Sequence, residues 1–593
     1  MLKILKFLKN YWFLLIVLII LVFISVAMTL QLPDYMARII NDGIIGQNSA
    51  VIYSNGFWML LFALIGAICT VGVGFLASRI ATGFAKDVRN KVFSQVESFS
   101  LVEFNKFSTA SLITRTTNDI QQIQMVLVLL LRMVLQAPIT AIWAIYKAYD
   151  LAPSLSWIIV LAVVALMGII IVLFFVAIPK FKILQKLVDK LNLVTRENLT
   201  GLRVIRAFNN EEIQEEKFEK ANVDLTNTNL FVNRLMVIMQ PMMMLIFNLT
   251  AILIVWVGAR LVGSGSLAVG NMIAFMQYSM QVIMAFLLIS LIFIMLPRAS
   301  VSANRVMEVI ETEPLIKNPE NPADLTDKHQ GVVEFKDVVF CYPGADTPVL
   351  ENISFTAQPG QTTAFIGSTG SGKSTLINLI PRFYDVNEGK ILIDGVDVRT
   401  MKLEELYAKI GYVPQKGVLF SGTVESNIKY GAPEASLTEV EKAAEISQAE
   451  EFIKNLEGQF DSPIAQGGAN VSGGQKQRLS IARAIVRNPE IYIFDDSFSA
   501  LDFKTDAMLR QALAQETQNK TVLIVAQRIS TILSADKIIV LDEGKIVGSG
   551  KHGELMKSCE VYREIAQSQL SDEELKAYKD KTDRESRLAG GMA

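Results

Sequence analysis

The fold class predicted for this chain of 593 residues is a polytopic α-helical membrane domain with six transmembrane helices and long cytoplasmic extensions, followed by an α/β P-loop domain. Composition gives the first indication, because 51% of the residues are hydrophobic and 19% are charged, with a mean hydropathy of +0.37. A chain of this length exceeds one ordinary domain, so a membrane half and a soluble half are expected. Apolar runs fill the first half, and a glycine-rich phosphate-binding motif lies in the second.

Six apolar runs predict the transmembrane helices. The first covers 11–32 and follows a short stretch, 1–10, whose lysines lie on one side of a helix, as in an amphipathic helix on the inner membrane surface. A signal peptide also combines a basic start with an apolar run, but this run is long enough to span a bilayer and no small-x-small cleavage site follows. The other spans are expected at about 57–78, 128–149, 155–178, 235–262 and 268–296.

The distribution of lysine and arginine predicts that both termini are cytoplasmic. The proposed outer connections, 33–56, 151–154 and 263–267, carry little positive charge, whereas the inner connections 79–127 and 179–234 are long and basic. Helical periodicity continues through both inner connections, so the helices should extend into the cytoplasm. Two stretches within them, 104–119 and 197–211, are either contact points for the soluble half or solvated helical turns.

The last two spans are rich in methionine. Thioethers with a few amides among them suit a pocket that accepts many apolar shapes. The same residues would also serve ordinary packing between helices, with the amides bonded from helix to helix, and both interpretations stay open. The candidate pocket residues in the sixth span are Met272, Met276, Gln277, Met280 and Gln281.

Composition also predicts the domain boundaries and excludes one class of partner. The membrane domain is expected at 1–310, a polar proline-containing linker at 311–330, the P-loop domain at 331–570 and a charged tail at 571–593. The net charge of −2 and the absence of a strongly basic half exclude nucleic acid as the main partner. The three cysteines lie far apart and form no disulfide or metal-ligand pattern.

The P-loop predicts binding of a nucleoside triphosphate with Mg²⁺. It fits G-x-x-x-x-G-K-[ST] between an apolar strand and a helical segment, which is the context that this motif requires. Lys373 is expected to reach the β- and γ-phosphates, and the Ser374 hydroxyl to bind Mg²⁺. The motif residues are Gly367, Ser368, Thr369, Gly370, Ser371, Gly372, Lys373, Ser374 and Thr375.

Further candidate residues flank the P-loop in sequence. Tyr342 could stack on adenine, although a buried strand tyrosine would look the same. The Gln415 amide could reach Mg²⁺ or the attacking water. An apolar strand ends in Asp495, which suits Mg²⁺, and in Asp496, which lies where a general base could be.

A second phosphate-binding helix start is predicted at Ser472, Gly473, Gly474 and Gln475, directly before a helix at 476–486. The chain thus contains a P-loop, Gln415, this short motif, Asp495 and a Ser-Ala-Leu-Asp run at 499–502, and together they resemble the complete motif set of an ATP-binding cassette. The Ser-Gly-Gly-Gln motif is decisive for this resemblance, because other P-loop NTPases lack it. With six spans in front, residues 1–570 resemble a half-transporter of the ABC exporter family. That resemblance implies ATP and Mg²⁺ as cofactors, a second half-transporter as partner and coupling helices near 104–109 and 201–211.

Two positions depart from the family pattern. The catalytic glutamate of the family is Asp496 here, and its switch histidine is Gln527. Both changes together resemble the degenerate-site subunit of bacterial heterodimeric multidrug exporters. The resemblance implies that this chain binds ATP, hydrolyses it poorly, and supplies Ser472–Gln475 to the competent site of a different chain. The expected substrates are then amphipathic drug-like compounds. The chain is expected to lie in the lipid bilayer of the cell membrane.

Two alternatives remain open at this point. A homodimeric exporter of lipids or peptides would use Asp496 as a working base, and steady ATPase activity of the chain alone would favour it. An ATP-gated channel or regulatory subunit would bind ATP without driving transport. A soluble P-loop kinase is excluded by the six spans.

Overall fold

The computed structural model describes residues 3–323 and 330–570. The chain forms two compact units, one from Met1–Glu97 and Thr109–Thr312 and the other from Ser98–Ser108 and Glu313–Ala593. The predicted charged tail, 571–593, and residues 324–329 of the predicted linker lie outside the described residues.

Long helices build the first unit, and one short helix of the second interrupts them. Within the described residues, six helical segments are long and apolar enough to span a bilayer, which confirms six predicted membrane helices: Ile4–Ile45, Ser49–Glu97, Thr109–Leu151, Pro153–Ala207, Glu211–Gly263 and Val269–Ile289. The individual helices are α1 (Trp12–Arg38), α2 (Ser49–Glu97), α3 (Leu101–Phe107), α4 (Thr109–Thr114), α5 (Ile120–Leu129), α6 (Gln136–Leu151), α7 (Ser156–Ala207), α8 (Glu211–Gly263) and α9 (Val269–Glu311). Short 3₁₀ segments at Ile4–Tyr11 and Pro153–Leu155, and π-helical segments at Ile39–Ile45, Arg115–Asp119 and Leu130–Val134, join them.

The first outer connection is much shorter than predicted. A connection over 33–56 is expected between the first two apolar runs, but α1 runs through Pro33 and helical structure continues to Ile45, with α2 beginning at Ser49. Proline is tolerated inside membrane helices because neighbouring helices and local π adjustments satisfy the freed backbone groups. The prediction over 33–56 is therefore wrong, and helix fills most of it.

A polar contact ties three helices of the first unit together. Asp34 of α1 accepts hydrogen bonds from Tyr278 of α9, at 2.6 Å, and from Lys147 of α6, at 2.7 Å. The Tyr278 hydroxyl also lies 2.8 Å from the carbonyl oxygen of Leu30. Because Asp34 and Lys147 pair with each other, both charges are accommodated within a largely apolar bundle.

Helix α3 belongs to the second unit although its neighbours in sequence belong to the first. Ser100 and Glu103 form a capping box at its start, and the other Glu103 oxygen accepts from the Leu315 N–H at 3.2 Å. Leu101 and Val102 pack against the apolar core of the second unit. Of the predicted contact stretch 104–119, residues 104–108 therefore belong to the second unit, whereas 109–119 and the turn between α7 and α8 lie within the first unit.

Residues between the end of α9 and 323 form hydrogen bonds within the second unit. The Asn318 side chain accepts from the Leu403 N–H at 2.8 Å, and the Ala323 N–H donates to the Thr400 carbonyl at 2.9 Å. Polar groups of 311–323 thus form hydrogen bonds with other residues of the unit.

The second unit alternates strands and helices, as the pattern of short β-branched runs predicted. Its strands are β1 (Val333–Phe340), β2 (Leu350–Ala357), β3 (Thr362–Gly367), β4 (Glu388–Ile393), β5 (Val396–Asp397), β6 (Ile410–Val413), β7 (Gly422–Thr423), β8 (Pro463–Ile464), β9 (Ile491–Asp495), β10 (Thr521–Val525), β11 (Lys537–Asp542) and β12 (Lys545–Gly550). Its remaining helices are α10 (Lys373–Leu379), α11 (Leu403–Ala408), α12 (Val424–Lys429), α13 (Leu437–Ile446), α14 (Glu450–Lys454), α15 (Gly473–Val486), α16 (Phe503–Glu516), α17 (Ile529–Ile532), α18 (His552–Ser558) and α19 (Glu560–Gln569).

Three sheets result, and the largest separates two apolar cores. Its order is β12-β11-β3-β10-β9-β6, with β12 antiparallel and the other strands parallel, while β2-β1-β4-β5 form an antiparallel sheet and β7-β8 a small pair. Along β3, Ala364 and Ile366 point into one core and Phe365 into the other. Strands buried on both faces lack polar alternation, which is why 364–366 is a continuous apolar run.

Candidate functional site

Four parallel strands deliver the candidate residues to one edge of the large sheet. Val525 of β10 pairs with Phe365 of β3 and with Asp495 of β9, and Val413 of β6 pairs with Phe494. The segments after these strands are the P-loop, Asp495–Asp496, Gln527 and Gln415. Ligands of open α/β sheets bind at the carboxyl ends of the strands, so the sheet brings the predicted nucleotide residues together.

The P-loop needs glycine at more than one position, and a Cβ on Gly367 would collide with the Leu541 carbonyl oxygen. Gly372 has φ +93°, and a Cβ there would lie 2.7 Å from the Leu350 Cδ2. Lys373 begins α10, and its ammonium group donates to the carbonyls of Gly367, at 3.0 Å, and Ser368, at 2.7 Å. Burial lowers the pKa of Lys373, against the opposing effect of Asp496 and Asp495. The ammonium group is therefore held inside its own loop, close to both carboxylates.

Ser374 and Asp495, the two residues predicted to bind Mg²⁺, lie in contact. The Ser374 hydroxyl donates to the Asp495 Oδ1 at 2.9 Å, and burial raises the pKa of Asp495 above its usual range. Among the described residues, no group of three or more His, Cys, Asp or Glu side chains could hold a metal. A hydroxyl and one carboxylate fit Mg²⁺, which keeps water and substrate phosphates as its other ligands.

Asp496 lies against two amides. Its Oδ2 accepts from the Gln527 Nε2 at 2.9 Å and from the Gln415 Nε2 at 3.3 Å. The side chain is 7% exposed and its backbone has φ +46°. Burial raises the pKa of Asp496, and the bonds from Gln415 and the residues near it oppose that shift. Gln415, expected at Mg²⁺ or water, is thus engaged with Asp496.

Tyr342 combines features of both predictions made for it. It follows β1, its ring makes edge contacts with Phe340 and Tyr384 at centroid distances of 5.0 and 5.3 Å, and it packs on the apolar core while remaining partly exposed. Its hydroxyl lies 2.9 Å from the Thr375 Oγ1. Tyr342 is therefore fixed to the end of the P-loop, and adenine stacking stays a prediction.

The Ser-Gly-Gly-Gln motif forms the start of α15. The Ser472 hydroxyl accepts from the Gln475 N–H at 3.3 Å, and the Gln475 side chain accepts from the Ser472 N–H at 2.9 Å. A Cβ on Gly473 would meet nothing within 4 Å, whereas one on Gly474 would lie 3.2 Å from the Ala500 carbonyl oxygen. This capping box fixes the helix start and leaves Ser472 and Gly473 exposed.

The structure adds a residue that sequence reasoning missed. Gln569, the last residue of α19, bonds to the main chain on both sides of Arg528, next to Gln527. It lies 42 residues from Gln527 in sequence, and nothing in the local pattern marks it, because the contact depends on how α19 packs.

The candidate pocket residues of the sixth span lie along one side of α9. Met272, Met276, Gln277, Met280 and Gln281 are all half-buried, while Phe275 and Tyr278 face the bundle and are buried. Met272 packs beside Gly258 of α8. The Gln281 Oε1 is buried and has no hydrogen-bond partner among the described residues. These contacts fit packing for Met272 and leave the pocket interpretation open for the others.

Comparison with known proteins gives matches over both halves. A family described as ABC transporter transmembrane region matches residues 15–286, and a family described as ABC transporter matches 350–499. The chain is 42% identical to an uncharacterized ABC transporter ATP-binding protein of Mycobacterium tuberculosis, covering 92% of this chain and 94% of that protein. It is 33% identical to an ATP-dependent lipid A-core flippase of Aromatoleum aromaticum, covering 87% and 85%. A solved structure of a bacterial Atm1-family ABC exporter with ATP bound has a TM-score of 0.79 at 25% identity, covering 94% and 98%.

Proposed function

Because the chain belongs to the ABC transporter family, we propose that it is one half of a heterodimeric exporter that moves amphipathic compounds out of the cell. The chain is a subunit of an ATP-driven ABC exporter and a multi-pass membrane protein with a cytoplasmic ATPase domain. The proposal concerns its place in the pump: its own ATP site is degenerate, and its Ser-Gly-Gly-Gln motif completes the site of a different chain.

The surroundings of Asp496 carry this proposal. A general base must accept a proton from water, but the Oδ2 of Asp496 already accepts two amide hydrogen bonds. Gln527 has no ionisable group that could pass the proton on. Asp is also one methylene shorter than Glu, so this carboxylate extends less far from the strand. A correctly placed base is worth about 10²–10⁴-fold in rate, and little of that is expected here.

Nucleotide binding at this chain's own P-loop is retained in the proposal. Lys373 would bind the β- and γ-phosphates, with Gly367–Thr375 around them, and Tyr342 would stack on adenine. Mg²⁺ would take Ser374 and Asp495, and Gln415, whose amide bonds to the neighbouring Asp496, is the third candidate ligand. The 2.9 Å contact between Ser374 and Asp495 supports this assignment.

The signature motif would act in the partner's site. Ser472 and Gly473 are exposed at the start of a 14-residue helix, so their donors are open to a phosphate brought by another chain. Donors of this kind, aimed at charge that develops in the transition state, are worth about 10²–10³-fold each in favourable cases. This chain would therefore be needed for turnover although its own site is weak.

The test compares two changes in the same purified complex. We expect Asp496→Asn to lower steady-state ATPase activity by less than about threefold, because a base already engaged by two amides contributes little of the usual gain. We expect Ser472→Asp to lower it about 100-fold, because a carboxylate there repels the phosphate of the partner's ATP. Equally severe losses from both variants would show that Asp496 is a working base.

Ser472→Asn is the matched control. Asn and Asp are similarly good N-caps, so both variants keep the start of α15, and only Ser472→Asp adds charge. If Asn costs as much activity as Asp, the loss comes from the shape of the motif and the repulsion argument is wrong.

A lipid exporter built from two copies of this chain is the second candidate. The 33% identity to a protein named ATP-dependent lipid A-core flippase favours it. It requires steady ATPase activity from the chain purified alone and movement of a fluorescent phospholipid across liposomes containing only this chain. Activity of that kind, lost on Asp496→Asn, would replace the heterodimer proposal.

A further inference from the structure

The side-chain amide of Gln569 clamps the main chain beside Gln527. Its Nε2 donates to the carbonyl of Gln527 at 2.8 Å, and its Oε1 accepts from the N–H of Ile529 at 2.8 Å. One amide group thus satisfies a main-chain acceptor and a main-chain donor on either side of Arg528. Both bonds are independent of the side chain at 527, so the clamp fixes where that side chain starts.

Helix α19 gives the clamp a rigid base. Tyr562 and Ala566 on its inner face are fully buried. The Tyr562 hydroxyl lies 2.7 Å from the His552 Nδ1, which joins α19 to α18. The core of the unit therefore holds α19 in place. The Gln569 side chain extends from the last residue of this helix to the main chain at 527 and 529.

The main-chain segment that Gln569 holds carries the side chain that bonds to the Asp496 carboxylate. Gln527 donates to Asp496 at 2.9 Å, and Arg510 of α16 donates to the carbonyls of Ser530 at 3.2 Å and Thr531 at 3.4 Å. Arg510 holds the far end of the segment, whereas Gln569 holds the end next to Gln527. Loss of the Gln569 bonds would release the main chain at 527 and 529, while the N–H of Ala526, which donates to the Phe365 carbonyl at 3.1 Å, and the far end of the segment stay bonded.

We propose that Gln569 is a positioning residue of the nucleotide site, whose amide holds the main chain at 527 and 529 so that the Gln527 side chain remains on Asp496 when a triphosphate binds. The inference rests on the proposed ATP site of this chain. It adds a residue of α19 to the groups that determine how strongly that site binds a nucleotide with a γ-phosphate.

The expected consequence is that loss of the Gln569 bonds weakens binding of a nucleoside triphosphate more than binding of a diphosphate. Asp496 lies close enough to Lys373 to interact with its charge, and Lys373 is the residue that reaches the β- and γ-phosphates. An Asp496 carboxylate that has lost the Gln527 amide repels the γ-phosphate more strongly, because only the longer hydrogen bond from Gln415 then remains on its Oδ2. ADP has no γ-phosphate and should be affected much less. A purely structural role of Gln569 would weaken both nucleotides alike.

The experiment uses the full-length chain in detergent and two probes, ADP and the β,γ-imido analogue of ATP, which is not hydrolysed. Gln569→Met keeps the length of the side chain and removes both hydrogen bonds. Gln567→Met, two residues away on the exposed side of α19, is the matched control. Gln569→Glu is a second variant, since it keeps the acceptor for Ile529 and loses the donor to the 527 carbonyl.

We expect Gln569→Met to weaken binding of the imido analogue about 3- to 10-fold, the range for one or two lost hydrogen bonds, and to leave ADP binding within about twofold. Gln569→Glu should show the same preference, and Gln567→Met neither effect. In the Gln527→Ala background, Gln569→Met should add nothing, because both changes remove the same contact.

Equal weakening of both nucleotides, or additive losses in the double variant, would overturn the inference. Failure of the proposed ATP site is distinguishable from failure of the inference, because the wild-type chain would then bind neither nucleotide. Wild-type binding together with unchanged selectivity in both Gln569 variants would overturn the role of Gln569 alone.

Discussion

Two lysines of the nucleotide-binding unit form ion pairs that differ in how far water reaches them. The Lys409 ammonium lies 2.9 Å from Asp394 and 2.6 Å from Glu490, and its side chain is 6% exposed. The Lys442 ammonium lies 2.9 Å from Glu516, and its side chain is 61% exposed. Burial by itself would lower the pKa of Lys409, but the hydrogen bonds that its ammonium group donates to both carboxylates raise it. Removing the cation should therefore have different consequences at the two sites.

We expect Lys409→Met to destabilise the unit by about 3–5 kcal/mol, because it leaves two enclosed carboxylates without a cation. Lys442→Met is the control and should cost about 0–1 kcal/mol. Chemical denaturation of the full-length chain, followed by a signal from the nucleotide-binding unit, measures both. Similar losses at the two positions would contradict the argument from solvent access.

His552 predicts a pH dependence of stability. It is buried in contact with Tyr562, and burial lowers the pKa of His552 below its ordinary value. The unfolded chain binds a proton near pH 6.5, while the folded chain binds it only at lower pH. Stability should therefore be unaffected above that pH and fall as the pH decreases from 6.5 toward the folded pKa, by at most about 1.4 kcal/mol per pH unit.

The measurement is the thermal unfolding of the nucleotide-binding unit between pH 7.5 and 5.5. His552→Gln keeps a polar group near Tyr562 and removes the titration, so its unfolding temperature should decline less below pH 6.5 than that of the wild type. Parallel declines in both proteins would assign the acid sensitivity to other groups.

At the scale of elements, α9 presents two faces with different expected roles. Met276, Gln277 and Met280 lie on the half-buried side, whereas Tyr278 is buried and bonded to Asp34. Flexible thioethers can adapt to different apolar shapes. We expect alanine at all three half-buried positions to change the relative transport of different amphipathic drugs, by about 3- to 10-fold for some compounds, with basal ATPase activity nearly unchanged.

Tyr278→Phe serves as the control for that prediction. It removes a hydroxyl that bonds to Asp34 and to the Leu30 carbonyl, so it should lower stability and affect all compounds in equal proportion. Drug resistance profiles of cells that express each variant provide the comparison. A proportional loss from the triple alanine variant would show that those residues pack helices and do not select substrates.

At the scale of the whole molecule, apolar side chains around the turn between α7 and α8 are exposed. Leu199 is 73% exposed, Val204 61% and Phe208 72%, although this region is outside the expected bilayer. Exposed apolar surface of this kind is typical of protein interfaces. It supports a second half-transporter, whose identity the chain alone does not specify.

We expect this chain to purify from native membranes with a different half-transporter that carries the glutamate and histidine absent at 496 and 527. Mass spectrometry of an affinity-tagged preparation identifies that partner. Co-expression of tagged and untagged copies of this chain is the control, since a homodimer would bring down the untagged copy. A fully active homodimer as the sole assembly would contradict the prediction.

The sequence by itself determined the membrane spans and the nucleotide motifs. Six apolar runs predict six membrane helices because a bilayer requires about 20 apolar residues in a row. The P-loop is recognisable because its glycines, lysine and serine occupy fixed spacings along a short stretch of chain. The departures at Asp496 and Gln527 were also visible, since each lies beside a local pattern that identifies the position.

The tertiary structure decided the features that depend on residues distant in sequence. The length of the helix across Pro33 required neighbouring helices that satisfy its backbone. The assignment of 98–108 to the second unit required the contacts of α3 with residues more than 200 positions later. The engagement of Asp496 by Gln415 and Gln527, and of residue 527 by Gln569, required parallel strands and a packed C-terminal helix. Local spacing encodes motifs and periodic faces, whereas hydrogen bonds between separate elements appear only once the chain has folded.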